Sequence, residues 1–391
     1  MLSLNIGGGG LDSNNLVLLS NGQLKAVQDI KVGDYVMGDD SLPKRVLTVY
    51  SGQDEMYQVV PNKGKPFVCN GRYRLTLKGM VPHIIYRKER ASPYVVRFTE
   101  QGTVKSRAFK SEEDAYLFKS TLTDNDIFDI SIDQYLRSNT NLREENRLFH
   151  VGVHFSTVPI PFDAYMIGYW LGDGHSAGSR ITTADPEIVE YFAQNLPKYG
   201  LQIRASECET GNYLYNISGA GNNHGKKDGN LMLSTLRELN MIDNKHIPDI
   251  YKMNSVEVRS QVLAGLIDSD GYRDRENCIE ISQKSDRLAA DIEFLAFSLG
   301  FMVTHTKSIK SCWYNGELKQ DYYNKLYIYG DGMEFLPVLL PRKKCLPRET
   351  RKRATCHGMV INPLHRGQYC GLVLEGNGRF LSGDFTVLNA H

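Results

Sequence analysis

The stretch Leu263-Ala-Gly-Leu-Ile-Asp-Ser-Asp-Gly271 decides the architecture, and a looser copy, Met166-Ile-Gly-Tyr-Trp-Leu-Gly-Asp-Gly174, stands 97 residues before it. Each copy carries small residues four apart, Gly168/Gly172 and Gly265/Ser269. Such residues share one helix face and let two helix backbones pack very closely. The flanking Met166, Ile167, Trp170, Leu263, Leu266 and Ile267 are apolar on nearly every side, so both helices are expected to be buried against each other. Asp173 and Asp270 then meet at the paired C-terminal ends. Like charges there, on top of the negative end of each helix, cost on the order of a kcal/mol or more apiece. A divalent cation would reverse the sign of that penalty. A lone Asp-Gly after a helix is an ordinary turn, but here the whole pattern is repeated, which argues for a site.

The repeat extends well beyond the two helices. After the first copy come Arg180–Thr183, a helix at 186–193, strand-like segments at 201–203 and 213–217, a helix at 231–239, and Lys245 before Pro248. After the second come Cys278–Ile281, a helix at 285–299, strands at 301–304 and 326–329, a helix around 333–340, and Lys344 before Pro347. Aspartate and lysine are 72 residues apart in one copy and 74 in the other. Two αββαββα-type units related by a pseudo-two-fold axis account for this most simply.

Both ends of the chain have a different texture. Leu16–Leu19, Ala26-Val27, Tyr35–Met37, Val46–Tyr50 and Met56–Val60 are short apolar runs parted by turn residues, and Gln368–Leu388 repeats the style with Tyr369–Leu374, Phe380-Leu381 and Phe385–Leu388. Such spacing predicts an all-β module. The chain is therefore expected to be α+β, an all-β domain split by an inserted one. The boundaries are 1–80 and 351–391 for the β domain, 81–155 for an inserted recognition region, and 156–350 for the duplicated domain, with repeats at about 160–250 and 255–347.

A length of 391 residues suits two or three domains. No apolar run approaches the roughly 18 residues that span a bilayer, and the first ten residues lack the marks of a signal peptide, so an intracellular protein without a membrane partner is expected. Seven scattered cysteines without a C-x-x-C pair argue against a disulfide framework or zinc knuckle. A net charge of +1 argues, on its face, against nucleic acid. The average conceals clusters, however. Residues 342–353 hold seven basic side chains, including Arg342, Lys343, Lys344, Arg348 and Arg351, against the single acid Glu349. A second basic region, interleaved with aromatics, runs through Arg87, Lys88, Arg90, Lys105 and Arg107. Clusters of this kind supply phosphate contacts.

The nine-residue stretch resembles the namesake motif of the LAGLIDADG homing endonucleases. The resemblance implies that Asp173 and Asp270 bind divalent metal at the scissile phosphates. The cofactor would be two or more Mg²⁺ ions, with Mn²⁺ able to substitute. Asp268, opposite Leu171 in the first copy, is read as a helix-end or supporting residue. In-line phosphodiester hydrolysis needs an activated water and a stabilised leaving alkoxide, and a lysine near each phosphate offsets the charge that develops. The repeat nominates Lys245 and Lys344, which stand before short apolar-Pro segments as the catalytic lysines of intein-encoded members do; Lys343 is the neighbouring alternative. Base-reading candidates on the strands after each motif helix are Arg180, Arg273, Arg275 and Gln283, because Arg and Gln pair bidentately with guanine and adenine.

The β ends, through Leu18–Gly22, Ile30–Asp34, Val36–Asp39, Cys69–Gly71 and Arg379–Leu388, resemble the Hint (intein splicing) domain. Splicing in that family needs an initiating nucleophile, a Thr-x-x-His pair and a terminal His-Asn. Here Gly10, Arg72 and Tyr73, and Asn389 and Ala390 stand in those places, so the activity is expected to be lost. An engineer blocking splicing would change only the ends, so Arg72 and Tyr73 favour natural decay. The reading is a monomeric, nuclear enzyme that makes a double-strand break in a long asymmetric DNA site. An engineered splicing-dead intein and a non-cleaving DNA-binding relic are the alternatives.

Overall fold

In the computed structural model, residues 8–88, 91–122, 126–206, 213–220, 229–314, 317–347 and 353–390 are described. They form two compact units, one from the chain ends (through Val151 and from Thr355) and one from Gly152–Ala354.

The first unit is a β domain closed by pairing between the two ends of the sequence. Strand Pro43–Pro61 pairs antiparallel with Met359–Leu374, in a five-stranded sheet that also takes in Leu11–Asp12, Phe67–Asn70 and Tyr35–Met37. The expected strands at 46–50 and 56–60 are thus one continuous strand. Residues 51–55, polar enough to read as a turn, find ladder partners from Cys370 to Arg366 on the other chain end. The final run is interrupted where Phe385 adopts a positive φ of 65°, leaving Val387–Asn389 as the last strand. One core holds Leu11, Val17, Val36, Val59, Leu75, Phe380 and Leu388, so residues from both ends of the sequence bury one another.

The region 81–155 divides in two. Strands Ile84–Arg87, Tyr94–Glu100 and Thr103–Phe109 with helix Glu112–Thr121 form a small sheet-and-helix module whose core includes Val96, Phe98 and Ala115. Ile127–Ser131 and Asn146–Phe149 instead pair with Arg74–Gly79, and so belong to the β domain's own sheet.

The second unit is the duplicated α/β domain. Helix Ala164–Asp173 packs on helix Val256–Asp270. The first half backs its helix with a three-stranded sheet (Ile181–Thr182, Leu214–Gly219, Leu201–Ala205) and the second with a four-stranded sheet (Gly271–Arg273, Ile279–Gln283, Glu317–Tyr329, Met302–Tyr314). Helices Pro186–Asn195, Leu231–Glu238 and Asp286–Ser298 fall where expected. The helix expected around 333–340 does not form. Only a single 3₁₀ turn, Met333–Phe335, is present, because Pro337 and Pro341 each lack the N–H a longer helix would need.

Candidate active site

The two motif helices touch along their small residues. A Cβ on Gly168 would collide with the Val262 carbonyl, one on Gly265 with that of Tyr165, and one on Gly172 with Ser269 Oγ. Glycine is required here by proximity rather than by dihedral angle. The same holds at the helix ends, where Gly174 and Gly271 are extended and donate their N–H to Trp170 O and Ile267 O. A side chain at either position would strike those carbonyls.

Asp173 and Asp270 are the last helical residues, each only partly exposed. Burial pushes the Asp270 carboxyl up to about 6, and the neighbouring Asp173 pushes it the same way; Lys245, Gln283 and Lys343 only partly oppose this. Burial likewise raises Asp173, against the pull of Lys343 and Lys245. Lys245 Nζ donates to Gly172 O at 3.0 Å and Gly174 O at 2.7 Å and lies 5.1 Å from the Trp170 ring. Its burial brings the ammonium down to about 8. Lys343 Nζ does the same for the other helix, donating to Asp268 O at 2.7 Å and Ser269 O at 2.8 Å, and its burial also lowers it. A cation at a helix C-terminus satisfies carbonyls left without intrahelical donors. Two such lysines offset part of the charge the carboxylates bring.

The structure therefore brings together Asp173, Asp270, Lys245 and Lys343, while the Lys344 side chain is exposed. A 3₁₀ turn at Pro341–Lys343 turns the segment so that the earlier lysine faces inward. Gln283 faces the site instead of an open sheet surface, its amide Nε2 donating to Asp270 Oδ2. Arg342 is held in a bidentate pair by Asp185 at 2.6 and 2.8 Å. Arg273 donates to the Arg342 carbonyl at 3.3 Å, and Arg180 and Arg275 are exposed. Asp268 is 1% exposed, accepts from Tyr165 Oη at 2.8 Å and from the Leu339 N–H at 2.7 Å, and is a buried support. In the small module Arg87 lies over Tyr94, Lys88 over Tyr86 and Arg107 over Phe118, whereas Lys105 pairs with Glu100. Arg90, Arg348 and Arg351 lie outside the described residues.

In the β domain Gly10, Tyr73, Asn389 and Ala390 line one narrow pocket. Tyr73 Oη accepts the Asn389 N–H at 3.1 Å, and Asn70 Oδ1 accepts that of Gly10 at 3.0 Å. Burial pushes the Tyr73 phenol and the Cys69 thiol well up, so neither ionises near neutral pH. Arg72 lies apart, exposed, 3.7 Å from Asp54.

Residues 12–108 match the family described as Hom_end-associated Hint, and residues 246–333 match the family described as homing endonuclease. The two matched segments fall one in each compact unit. It is 31% identical over 172 residues, 42% of its length, to the replicative DNA helicase DnaB of Mycobacterium intracellulare. It is 23% identical over 67% of its length to the homothallic switching endonuclease of Saccharomyces cerevisiae, and 22% identical over 65% to the catalytic chain of the V-type proton ATPase of Candida tropicalis. The chain spans 25%, 57% and 31% of those proteins respectively. Among solved structures, mesophilic variants of the homing endonuclease I-DmoI match with a TM-score of 0.28 and 15% identity, over 43% of this chain and 88% of theirs.

Proposed function

We propose that this protein is a site-specific DNA endonuclease that makes a double-strand break, with one half of the duplicated domain cutting each strand. The observation that carries this is the pair of half-buried carboxylates, Asp173 and Asp270, at helix ends that each hold a lysine. Two raised carboxylates side by side destabilise the site until a cation or proton joins them. Among the described residues no cluster of three or more His, Cys, Asp or Glu is gathered. That suits a hard ion such as Mg²⁺, which takes one or two carboxylates and completes its shell with water and substrate phosphate. Asp173 and Asp270 would hold the metal, which when bound lowers the pKa of water and stabilises the leaving oxygen.

The chain's own groups do the rest. Lys245 and Lys343 are fixed in geometry by carbonyls and offset the charge that grows on the phosphate. Gln283 orients the Asp270 carboxylate. Double-stranded DNA with a long asymmetric site is the partner, the protein acts as a monomer in the nucleus, and splicing is lost because Gly10 has no nucleophile and Ala390 no amide to cyclise.

Selecting cleaved sequences from randomised plasmid DNA with Mg²⁺ tests the reading. Linear products that vanish with Asp173→Asn support it. Intact plasmid throughout, or undiminished cutting by that variant, sinks it.

A further inference from the structure

Both lysines reach the motif helices on segments outside any α-helix or strand, 239–248 and 336–347. Irregular backbone that is buried must find partners for its N–H groups, and in each segment a buried carboxylate provides them close to the lysine. In the first, the Ile247 N–H donates to Asp291 Oδ2 at 3.0 Å, while Oδ1 of the same carboxylate accepts from Lys252 Nζ at 2.7 Å. Asp291 is 8% exposed and Ile247 fully buried. In the second, the N–H groups of Leu339 and Leu340 donate to Asp268 at 2.7 and 3.2 Å, and Leu340 is fully buried.

The pseudo-two-fold does not relate these two anchors. Counting six residues from the helix caps Asp185 and Ser285, the counterpart of Asp291 is Tyr191, whose hydroxyl turns to Asp163 at 3.3 Å. The counterpart of Asp268 is Leu171. Each lysine-bearing segment therefore has an anchor of its own, on a different element. We propose that Asp291 and Asp268 are positioning residues, each setting one lysine and through it the cutting of one DNA strand. Asp291 serves Lys245, which caps the helix that ends in Asp173, and Asp268 serves Lys343, which caps the helix that ends in Asp270. The inference rests on the endonuclease reading above.

A misplacement of about 1 Å at a reacting centre can cost about 10²-fold in rate. The test uses the full chain with Mg²⁺ and a plasmid bearing the site that the wild-type protein selects, each strand labelled separately. Asp291→Ala should slow one strand by about 10²-fold and the other by less than about tenfold. Nicked circles should accumulate with the same strand uncut as with Lys245→Met. Asp268→Ala should leave the opposite strand uncut, as Lys343→Met does. The Asn variants keep one acceptor for the backbone and should fall between alanine and wild type; they serve if an alanine variant does not fold. Lys252→Met strips Asp291 of its ion pair but not of the Ile247 N–H, and should leave the ratio of strand rates unchanged. Equal slowing of both strands by the Asp291 and Asp268 variants would mean general loosening and overturn the proposal, as would no slowing. A wild-type protein that cuts no DNA in the selection sinks the endonuclease reading itself, and this inference with it.

Discussion

The pocket around Tyr73 in the β domain and the paired ends of the motif helices both gather polar side chains, buried in the first and half-buried in the second, and what separates them most is charge. Tyr73, Asn389 and Asn70 are neutral; Tyr73 Oη accepts the Asn389 N–H and Asn70 Oδ1 that of Gly10. Burying neutral, hydrogen-bonded groups is close to balanced and leaves nothing reactive. At the helix ends Asp173 and Asp270 repel each other in a half-buried site, and two lysines compensate only in part. That arrangement keeps a standing penalty which a cation can relieve. The first cluster is built like a core and the second like a receptor.

The sharpest way to break the comparison is to remove charge from the second cluster. Asp270→Asn should abolish double-strand cleavage, by about 10³-fold or more, while DNA affinity in a filter-binding or gel-shift assay stays within about threefold; the same variant should melt no lower than wild type without metal, because a buried charge has gone. Next in size, Lys245→Met and Lys343→Met should each cost about 10²-fold in cleavage rate, whereas Lys344→Met should change it less than about threefold. Equal losses for Lys343 and Lys344 would contradict the geometry.

Acid should distinguish the two domains. Burial, and then the neighbouring His150, brings the His357 imidazole from 6.5 to about 3, while Asp384 pulls the other way. A folded value below the unfolded one means that the stabilisation is complete above 6.5 and is lost as pH falls toward about 3. The β domain should lose up to roughly 5 kcal/mol over that window. His357→Phe should flatten that part of the slope in denaturant titrations at pH 7, 5 and 4. The smallest effect belongs to the neutral pocket. Tyr73→Phe leaves the Asn389 N–H without its partner and should cost about 1–2 kcal/mol, with no change in DNA cleavage and no released fragment in intact-mass spectra.

The motif helices are legible in the sequence because close packing leaves a plain trace, small residues four apart and an aspartate at a fixed offset. The split β domain is legible from its turns, although the continuity of Pro43–Pro61 is not, since the partner of residues 51–55 lies more than 300 residues away. The second lysine falls one residue earlier than the repeat predicts, because matching Lys-apolar-Pro segments assumes equal backbone paths, and the turn at Pro341 breaks that equality. Gln283 does leave a signal. It continues the alternation of the buried Ile279 and Ile281 and so lies on the strand's inward face. Asp291 leaves none, because an aspartate one turn and a half into a helix reads as solvent-facing until its neighbour in space is known.

The pairing of Pro43–Pro61 with Met359–Leu374 has a consequence for how the chain is made. On a ribosome the first strand emerges long before the second, and the whole of Gly152–Ala354 is synthesised between them. The duplicated domain is contiguous and can fold as soon as it has cleared the exit tunnel, whereas the five-stranded sheet must wait for residues near the end of the chain. During that interval Pro43–Pro61 lacks its longest neighbour and exposes an open strand edge, the kind of surface that invites pairing with another chain. The β domain thus closes after the duplicated domain and is the more exposed of the two to error during synthesis.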